Sequence, residues 1–226
     1  MKQITETLRE YCEEYILPLY LEHDKAHGPE HVRTVIRNSM ELAESLPSES
    51  LPEDQKINID MVYTVAAYHD VGIRYGRKNH EASSGKWLME DEALKRWFSE
   101  EERQTMREAV EDHRASRQEP PRNIYGRIVS EADRDLEPKR IVRRCMEYGL
   151  ANCPELSDEE QVQRTVEHVR DKYGEGGYLH LWLPCPKNEQ GLATLREWLE
   201  TGELEQKCCA FLKYARAAAA MEGTKA

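Results

Sequence analysis

The chain has 226 residues, of which 43 are acidic and 32 are basic, and its formal net charge is −11. This charge excludes a duplex nucleic acid held by general electrostatic attraction. No run approaches the roughly 18 apolar residues of a membrane span, and the N-terminus carries acids where a secretory signal would be apolar. We therefore expect a cytoplasmic protein whose partners include neither a membrane nor duplex nucleic acid.

Residues with the three-to-four-residue spacing of helix faces dominate the chain, and long alternating runs of β-branched residues are missing from it. The predicted fold class is therefore all-α. Leu179 to Leu183 is predicted as one short extended piece. The pattern predicts helices over residues 3–21 with a bend at Pro18, 28–46, 56–70, 80–90, 99–115, 124–137, 138–151, 157–173 and 188–221, the last as a single helix or a pair.

Two capping boxes support the predicted helix starts. Ser99 with Glu102, and Ser157 with Glu160, have the spacing at which the two residues of a box satisfy each other's backbone amides. The six cysteines of the chain form no CxxC pair and are too sparse for a small disulfide scaffold. We interpret them as reduced, mostly structural thiols.

Ionisable side chains on inward helix faces are the unusual feature of the sequence. They occur at His31, at the adjacent His69 and Asp70, and at Asp133, which lies among Ile128, Val129, Ala132 and Leu136. Burying such groups is costly unless they are paired or bind a metal. For Asp133, a salt bridge to Arg134 or to a basic residue of the next helix is the alternative. A metal site explains all the positions together.

The ligand types bear on the identity of the metal. Imidazole and carboxylate suit manganese, iron, cobalt, nickel or zinc, whereas magnesium favours coordination by oxygen alone. The sequence therefore predicts a divalent metal cofactor and leaves its identity open.

Three sequence blocks, HGPEHVRTV, AAYHDVG and IVSEADRDL, resemble the motifs of the HD-domain metal-dependent phosphohydrolases. Three blocks in the family's order are far more specific than an isolated His-Asp dipeptide. The resemblance covers about residues 20–140. It implies metal ligands at His31, His69, Asp70 and Asp133, in a helical bundle that hydrolyses a phosphate ester or anhydride, commonly of a nucleotide.

The resemblance also gives an expectation for the domains. Residues 1–150 are expected to form an HD-type metal-binding helical domain, and residues 151–226 a helical C-terminal extension that packs on it. Whether this extension roofs the site or completes the bundle stays open, as does an oligomer formed through the C-terminal helix.

Several catalytic roles remain open. Asp70 can coordinate the metal or orient the attacking water, and Glu81 is a candidate general acid or base. His80 and His113 are candidates for a second metal or a phosphate contact, although each can also be structural. His80 follows Asp70 by only ten positions, which is short for an intervening helix. We therefore expect one metal ion, or two if His80 and His113 both bind metal.

An anionic substrate needs cationic donors near the site. The candidates are Arg74, Arg77 and Lys78, which follow Asp70, and Arg114 and Arg117, which follow His113. Solvated charge on a polar loop is the alternative for them. The function expected is a phosphohydrolase of a small phosphorylated metabolite; the alternatives are a dinuclear iron oxygenase on the same scaffold and a non-catalytic, metal-stabilised binding module.

Overall fold

The computed structural model describes residues 3–24, 26–46 and 56–223. Within these ranges the regular structure is helical, without a strand, so the predicted all-α fold class is confirmed. Within the same ranges, no helix combines the length and the apolar character needed to cross a bilayer. The backbone divides into two compact units, residues 1–134 and 135–226.

The first unit contains six α-helices among its described residues. The first is short and continues into a π-helical turn over Cys12–Ile16 and a 3-10 segment over Leu17–Glu22, which replace the predicted bend at Pro18. The helices are α1 (Glu6–Tyr11), α2 (Pro29–Ser45), α3 (Ile59–Tyr68), α4 (His80–Glu90), α5 (Glu100–Glu111) and α6 (Ile124–Ala132).

Helix α3 forms the centre of this unit. Nine of its ten residues are buried and Asp60, near its start, is partly buried, because the helix is predominantly apolar. It packs against α2, α5 and α6. Consequently the residues that directly follow α3, His69 and Asp70, also lie in the interior, with 0% and 3% of their surfaces exposed.

Several predicted boundaries need adjustment. Helix α3 ends at Tyr68, two residues before the predicted end, and α6 ends at Ala132 rather than near residue 137. Helix α4 begins at His80 as predicted. The capping box of Ser99 and Glu102 is formed at the start of α5, which confirms that prediction.

The second unit contains four α-helices among its described residues: α7 (Pro138–Asn152), α8 (Asp158–Tyr173), α9 (Pro186–Thr201) and α10 (Glu203–Gly223). The box of Ser157 and Glu160 caps α8 as predicted. The predicted final helix is a pair, separated at Gly202, whose φ of 72° suits a residue without a Cβ. Leu179 to Leu183 is irregular rather than a strand. The predicted boundary at residue 150 falls inside α7, and the assignment of residues 151–226 as an extension stays a prediction.

Candidate metal centre

His31 lies in the first turn of α2. The helix begins at Pro29, whose fixed φ suits a first helical position, directly after the extended Gly28. This start places the imidazole at the inner end of the helix, where its Nε2 atom lies 3.2 Å from Nε2 of His69. Its side chain keeps 20% of its surface exposed, so His31 lies at the edge of the centre.

His69 and Asp70 lie where α3 stops. His69 still has helical angles, whereas Asp70 has a φ of −115° and a ψ of 4° and opens a 3-10 segment over Val71–Tyr75. This change of backbone direction turns the two adjacent side chains toward the same point. Oδ2 of Asp70 lies 3.3 Å from Nε2 of His69.

Asp133 caps the C-terminal end of α6. The amide of Asn38, on α2, donates to the carbonyl of Ala132 at 3.1 Å and so ties this end of α6 to the helix that carries His31. The predicted alternative partner of Asp133, Arg134, instead pairs with Glu131 at 2.6 Å. This arrangement leaves the carboxylate of Asp133 directed at the histidines.

The first ligand group consists of His31, His69 and Asp133. Oδ1 of Asp133 lies 3.2 Å from Nε2 of His31 and 3.9 Å from Nε2 of His69. Oδ2 of Asp70 faces the same group, at 3.4 Å from Nε2 of His31.

The second ligand group consists of Asp70, His80 and His113. Oδ1 of Asp70 lies 3.0 Å from Nε2 of His80 and 3.4 Å from Nε2 of His113. The two imidazole Nε2 atoms are themselves 3.3 Å apart. The two oxygens of Asp70 therefore face different groups, and this carboxylate connects them.

Backbone carbonyls fix the orientation of three of the imidazoles. Nδ1 of each donates to the carbonyl three residues earlier: His69 to Ala66 at 2.8 Å, His80 to Arg77 at 3.0 Å, and His113 to Val110 at 2.6 Å. A carbonyl only accepts, so Nδ1 carries the proton in the neutral ring and Nε2 presents its lone pair to the centre. Lone pairs and carboxylate oxygens that converge in this way form a donor set that a bound cation would satisfy.

The electrostatics favour positive charge at the centre. Burial lowers the pKa of His31, but its hydrogen bonds to Asp133 and Asp70 outweigh burial and raise that pKa to about 10. Burial raises the pKa of Asp133, whereas the hydrogen bond from His31 and the nearby imidazoles lower it, to about 2 in balance. Imidazoles also hold the pKa of Asp70 well below its usual range despite its burial. Both carboxylates thus stay negative and favour a positive occupant.

The donor set fits a divalent metal. Nitrogen and oxygen ligands bonded to one ion at about 2.0–2.2 Å lie about 2.8–3.6 Å apart at right or tetrahedral angles. The separations of 3.2 Å between His31 and His69, and of 3.0 Å between Asp70 and His80, match this spacing. Imidazole with carboxylate is a set suited to first-row transition metals.

The structure also places the remaining candidate residues. Glu81 lies on the outer side of His80, where its Oε2 is 3.7 Å from Nδ1 of that ring and 3.3 Å from the guanidinium of Arg114. These contacts put the Glu81 carboxylate away from the Nε2 atom that faces the centre. Its role as a general acid or base stays a prediction.

The predicted phosphate-binding arginines already have carboxylate partners. Arg74 pairs with Glu22 at 3.1 Å and lies over the rings of Tyr75 and Trp87. Arg77 pairs with Asp24 at 3.1 Å, and Lys78 is exposed.

Arg117 differs from these arginines, because it pairs at 3.1 Å with Asp112, whose side chain is fully buried. Arg114 and Arg77 flank the second ligand group, since Arg114 follows His113 and the carbonyl of Arg77 orients His80.

Sequence reasoning missed the residues that support the ligands. Gly72 lies so close to α4 that an added Cβ would stand 2.4 Å from the His80 carbonyl oxygen, and its amide donates to Oγ of Ser84 at 2.8 Å. Asn38 of α2, whose amide donates to the end of α6, was also missed. The glycine of the sequence VGI, directly after Asp70, is a signal that could have identified Gly72. The residues that Gly72 and Asn38 contact lie on other helices, however, and the sequence does not identify them.

A comparison with family models matches residues 29–136 to the HD domain. The match places this segment of the chain, residues 29–136, in the HD-domain superfamily. Neither a curated protein nor a solved structure matched the chain significantly. The matched segment of the chain includes both ligand groups. The second unit of the chain, residues 135–226, lies almost entirely outside this segment. The family resemblance predicted from the three motif blocks is thus confirmed.

Proposed function

We propose that this HD-domain chain is a metal-dependent phosphohydrolase that cleaves a phosphate ester or anhydride of a small phosphorylated metabolite. The observation that carries the proposal is the position of Asp70, whose two carboxylate oxygens face two separate groups of imidazoles. A carboxylate shared in this way is the arrangement expected of a centre for two ions, which phosphate chemistry commonly uses.

The ligands divide as follows in the proposed centre. His31, His69 and Asp133 would hold one divalent ion, His80 and His113 would hold the other, and Asp70 would contribute to both. Bound divalent ions lower the pKa of water toward neutrality and neutralise charge on phosphoryl oxygens. The sequence favoured one ion; the separation of 3.0 Å between Asp70 and His80 supports two.

The exposed edge of the centre is the proposed entrance for the substrate. The side chains of His69, Asp70 and His113 are 0%, 4% and 3% exposed, whereas those of His31, Asp133 and His80 are 20%, 26% and 13% exposed. The buried ligands exclude water from the inner side. A phosphate must therefore approach from the outer side, over His31, Asp133 and His80.

Cationic residues at this edge would orient the substrate. Arg114 and Arg77 adjoin the second ligand group, and each is held by a carboxylate, Glu81 or Asp24. An incoming phosphate can replace the carboxylate as the partner of the guanidinium, with two parallel hydrogen bonds. A nucleotide is the proposed substrate class, because nucleotides are common substrates of the family that the motifs resemble.

A dinuclear iron oxygenase is the second candidate. The observation that favours it is the second ligand group, since the oxygenase requires His80 and His113 both to bind metal. It predicts iron as the bound metal and consumption of oxygen with an organic substrate. A non-catalytic binding module instead predicts ligand binding without turnover.

The test is phosphate release by the protein loaded separately with manganese, iron, cobalt, nickel, zinc or magnesium, from a panel of nucleotides and sugar phosphates. His31→Ala and His113→Ala remove one ligand from each group, and metal content is quantified for every sample. Release that is lost in both variants supports the proposal. Oxygen consumption by the iron form without phosphate release would support the oxygenase, and stoichiometric metal with neither activity would overturn both enzymes.

A further inference from the structure

Tyr20 makes two hydrogen bonds to the backbone around the His-Asp doublet. It lies in the 3-10 segment Leu17–Glu22 and is fully buried. Its hydroxyl donates to the carbonyl of Ala67 at 2.9 Å and accepts from the amide of Asp70 at 3.2 Å. The one hydroxyl thus serves both as donor and as acceptor, and it spans the point where α3 stops.

The end of a helix leaves backbone groups that need other partners. Here the carbonyl of Ala66 accepts from the imidazole of His69, and the carbonyl of Ala67 accepts from Tyr20. The Asp70 amide, beyond the last helical residue, donates to Tyr20. The backbone angles that turn Asp70 away from the helix path are therefore supported by a side chain from another part of the chain.

We infer that Tyr20 is a positioning residue that holds the Asp70 carboxylate between the two ligand groups. The inference rests on the metal centre of the proposed function. Oδ2 of Asp70 is 3.4 Å from His31 and Oδ1 is 3.0 Å from His80, so a rotation about the backbone of Asp70 changes both contacts at once. Outer partners that orient metal ligands commonly affect metal affinity in this way.

This role differs from that of an ordinary core tyrosine. The Tyr20 ring packs with its centroid 4.9 Å from that of His23 and 6.3 Å from that of His69. Phenylalanine at position 20 keeps this packing and removes only the hydroxyl. A purely structural role predicts a loss of stability alone, whereas the positioning role predicts weaker binding of metal at both groups.

The experiment titrates Tyr20→Phe and the wild-type protein with cobalt. Binding is monitored by calorimetry and by the visible absorption of the bound ion. We expect the affinities of both ions to fall by about 10- to 100-fold, the usual effect of removing an outer partner. The matched control is Tyr68→Phe, which removes another buried hydroxyl, donated to Asp91 at 2.6 Å. The control should lower thermal stability to a similar extent and leave both affinities unchanged.

Each outcome is decisive. Unchanged affinities in Tyr20→Phe, weakening of one ion only, or equal weakening in Tyr68→Phe would overturn the inference while leaving the proposed function intact. A wild-type protein that binds no metal would overturn both. Hydrogen exchange of the wild-type protein gives a second measurement that does not depend on a folded variant: the Asp70 amide should be protected although it lies beyond α3, and exchange as fast as that of the exposed Lys78 would contradict the inference.

Discussion

Nε2 of His80 lies 3.0 Å from Oδ1 of Asp70, and the two residues are only ten positions apart in the sequence. The chain covers this separation with the 3-10 segment Val71–Tyr75 and a short turn, and α4 then begins at His80 itself. No intervening α-helix is needed, because the ligand is the first residue of the next one. The spacing that seemed too short for a second ion is therefore sufficient.

Asp70→Ala should abolish binding of both ions, because its two oxygens face the two ligand groups. We expect metal content to fall to background, and phosphate release to fall by more than the roughly 100-fold that loss of an outer partner can cause. The measurements are metal analysis and single-substrate kinetics. Asp60→Asn is the matched control, since the Asp60 carboxylate accepts hydrogen bonds from Thr5 at the far end of α3. Retention of both ions by Asp70→Ala would refute the bridging role.

Gly72→Ala should disturb the second ligand group. An added Cβ would stand 2.4 Å from the His80 carbonyl oxygen and 2.5 Å from the Ser84 amide nitrogen, and both are backbone atoms that cannot move aside alone. We expect the free energy of unfolding to fall by about 1–3 kcal/mol, as overpacking usually costs, together with weaker binding of one ion.

Denaturant unfolding and metal titration check this prediction. Gly85→Ala, on the same α4, is the control, because the nearest atom to its added Cβ would be the flexible Glu111 side chain at 2.8 Å. Equal stability and metal binding in Gly72→Ala and the wild type would show that α4 adjusts freely.

Arg114 and Arg117 should respond differently to substitution. Arg114 pairs with the half-buried Glu81 beside the second ligand group, so Arg114→Gln should raise KM about tenfold with little change in kcat, as expected for lost substrate binding. Arg117 pairs with the fully buried Asp112. Arg117→Gln should therefore lower the free energy of unfolding by about 1–3 kcal/mol and leave KM unchanged.

Steady-state kinetics and urea unfolding of both variants check this contrast. Arg140→Gln serves as the control, since Arg140 pairs with Asp135 in the second unit. An unchanged KM in Arg114→Gln would remove Arg114 from the set of substrate-binding residues.

The cysteines should differ strongly in reactivity. Burial and nearby acids raise the pKa of the Cys12 thiol to about 12, and burial likewise raises that of Cys208 to about 12. Because the reactive thiolate forms only as pH approaches that pKa, at about pH 8 its fraction is on the order of one in ten thousand. Cys209 is exposed.

We expect a disulfide reagent at about pH 8 to modify Cys209 within minutes and to leave Cys12 and Cys208 unmodified until the protein unfolds. Mass spectrometry of the labelled peptides, with and without denaturant, checks this. Rapid labelling of Cys12 in the folded protein would contradict its burial.

Much of the first unit was determined by the sequence itself. The spacing of apolar residues in α3 predicted a helix with His69 on its inward side, and the capping box of Ser99 and Glu102 defined the start of α5. Each of these signals acts within one helix or one helical turn. The three motif blocks predicted the HD family for the same reason: each is a short local pattern of ligands on a helix end.

Only the tertiary structure decided how the ligands divide into two groups. His80 begins α4, whereas His113 lies just after the end of α5, and the direction of each imidazole depends on a backbone carbonyl. Their meeting with Asp70 therefore follows from the packing of α4 on α5. The same holds for Tyr20, whose hydroxyl reaches Asp70 across 50 residues of chain. Helical periodicity identifies which side chains face inward, but the partner that each one meets is set by contacts between distant segments.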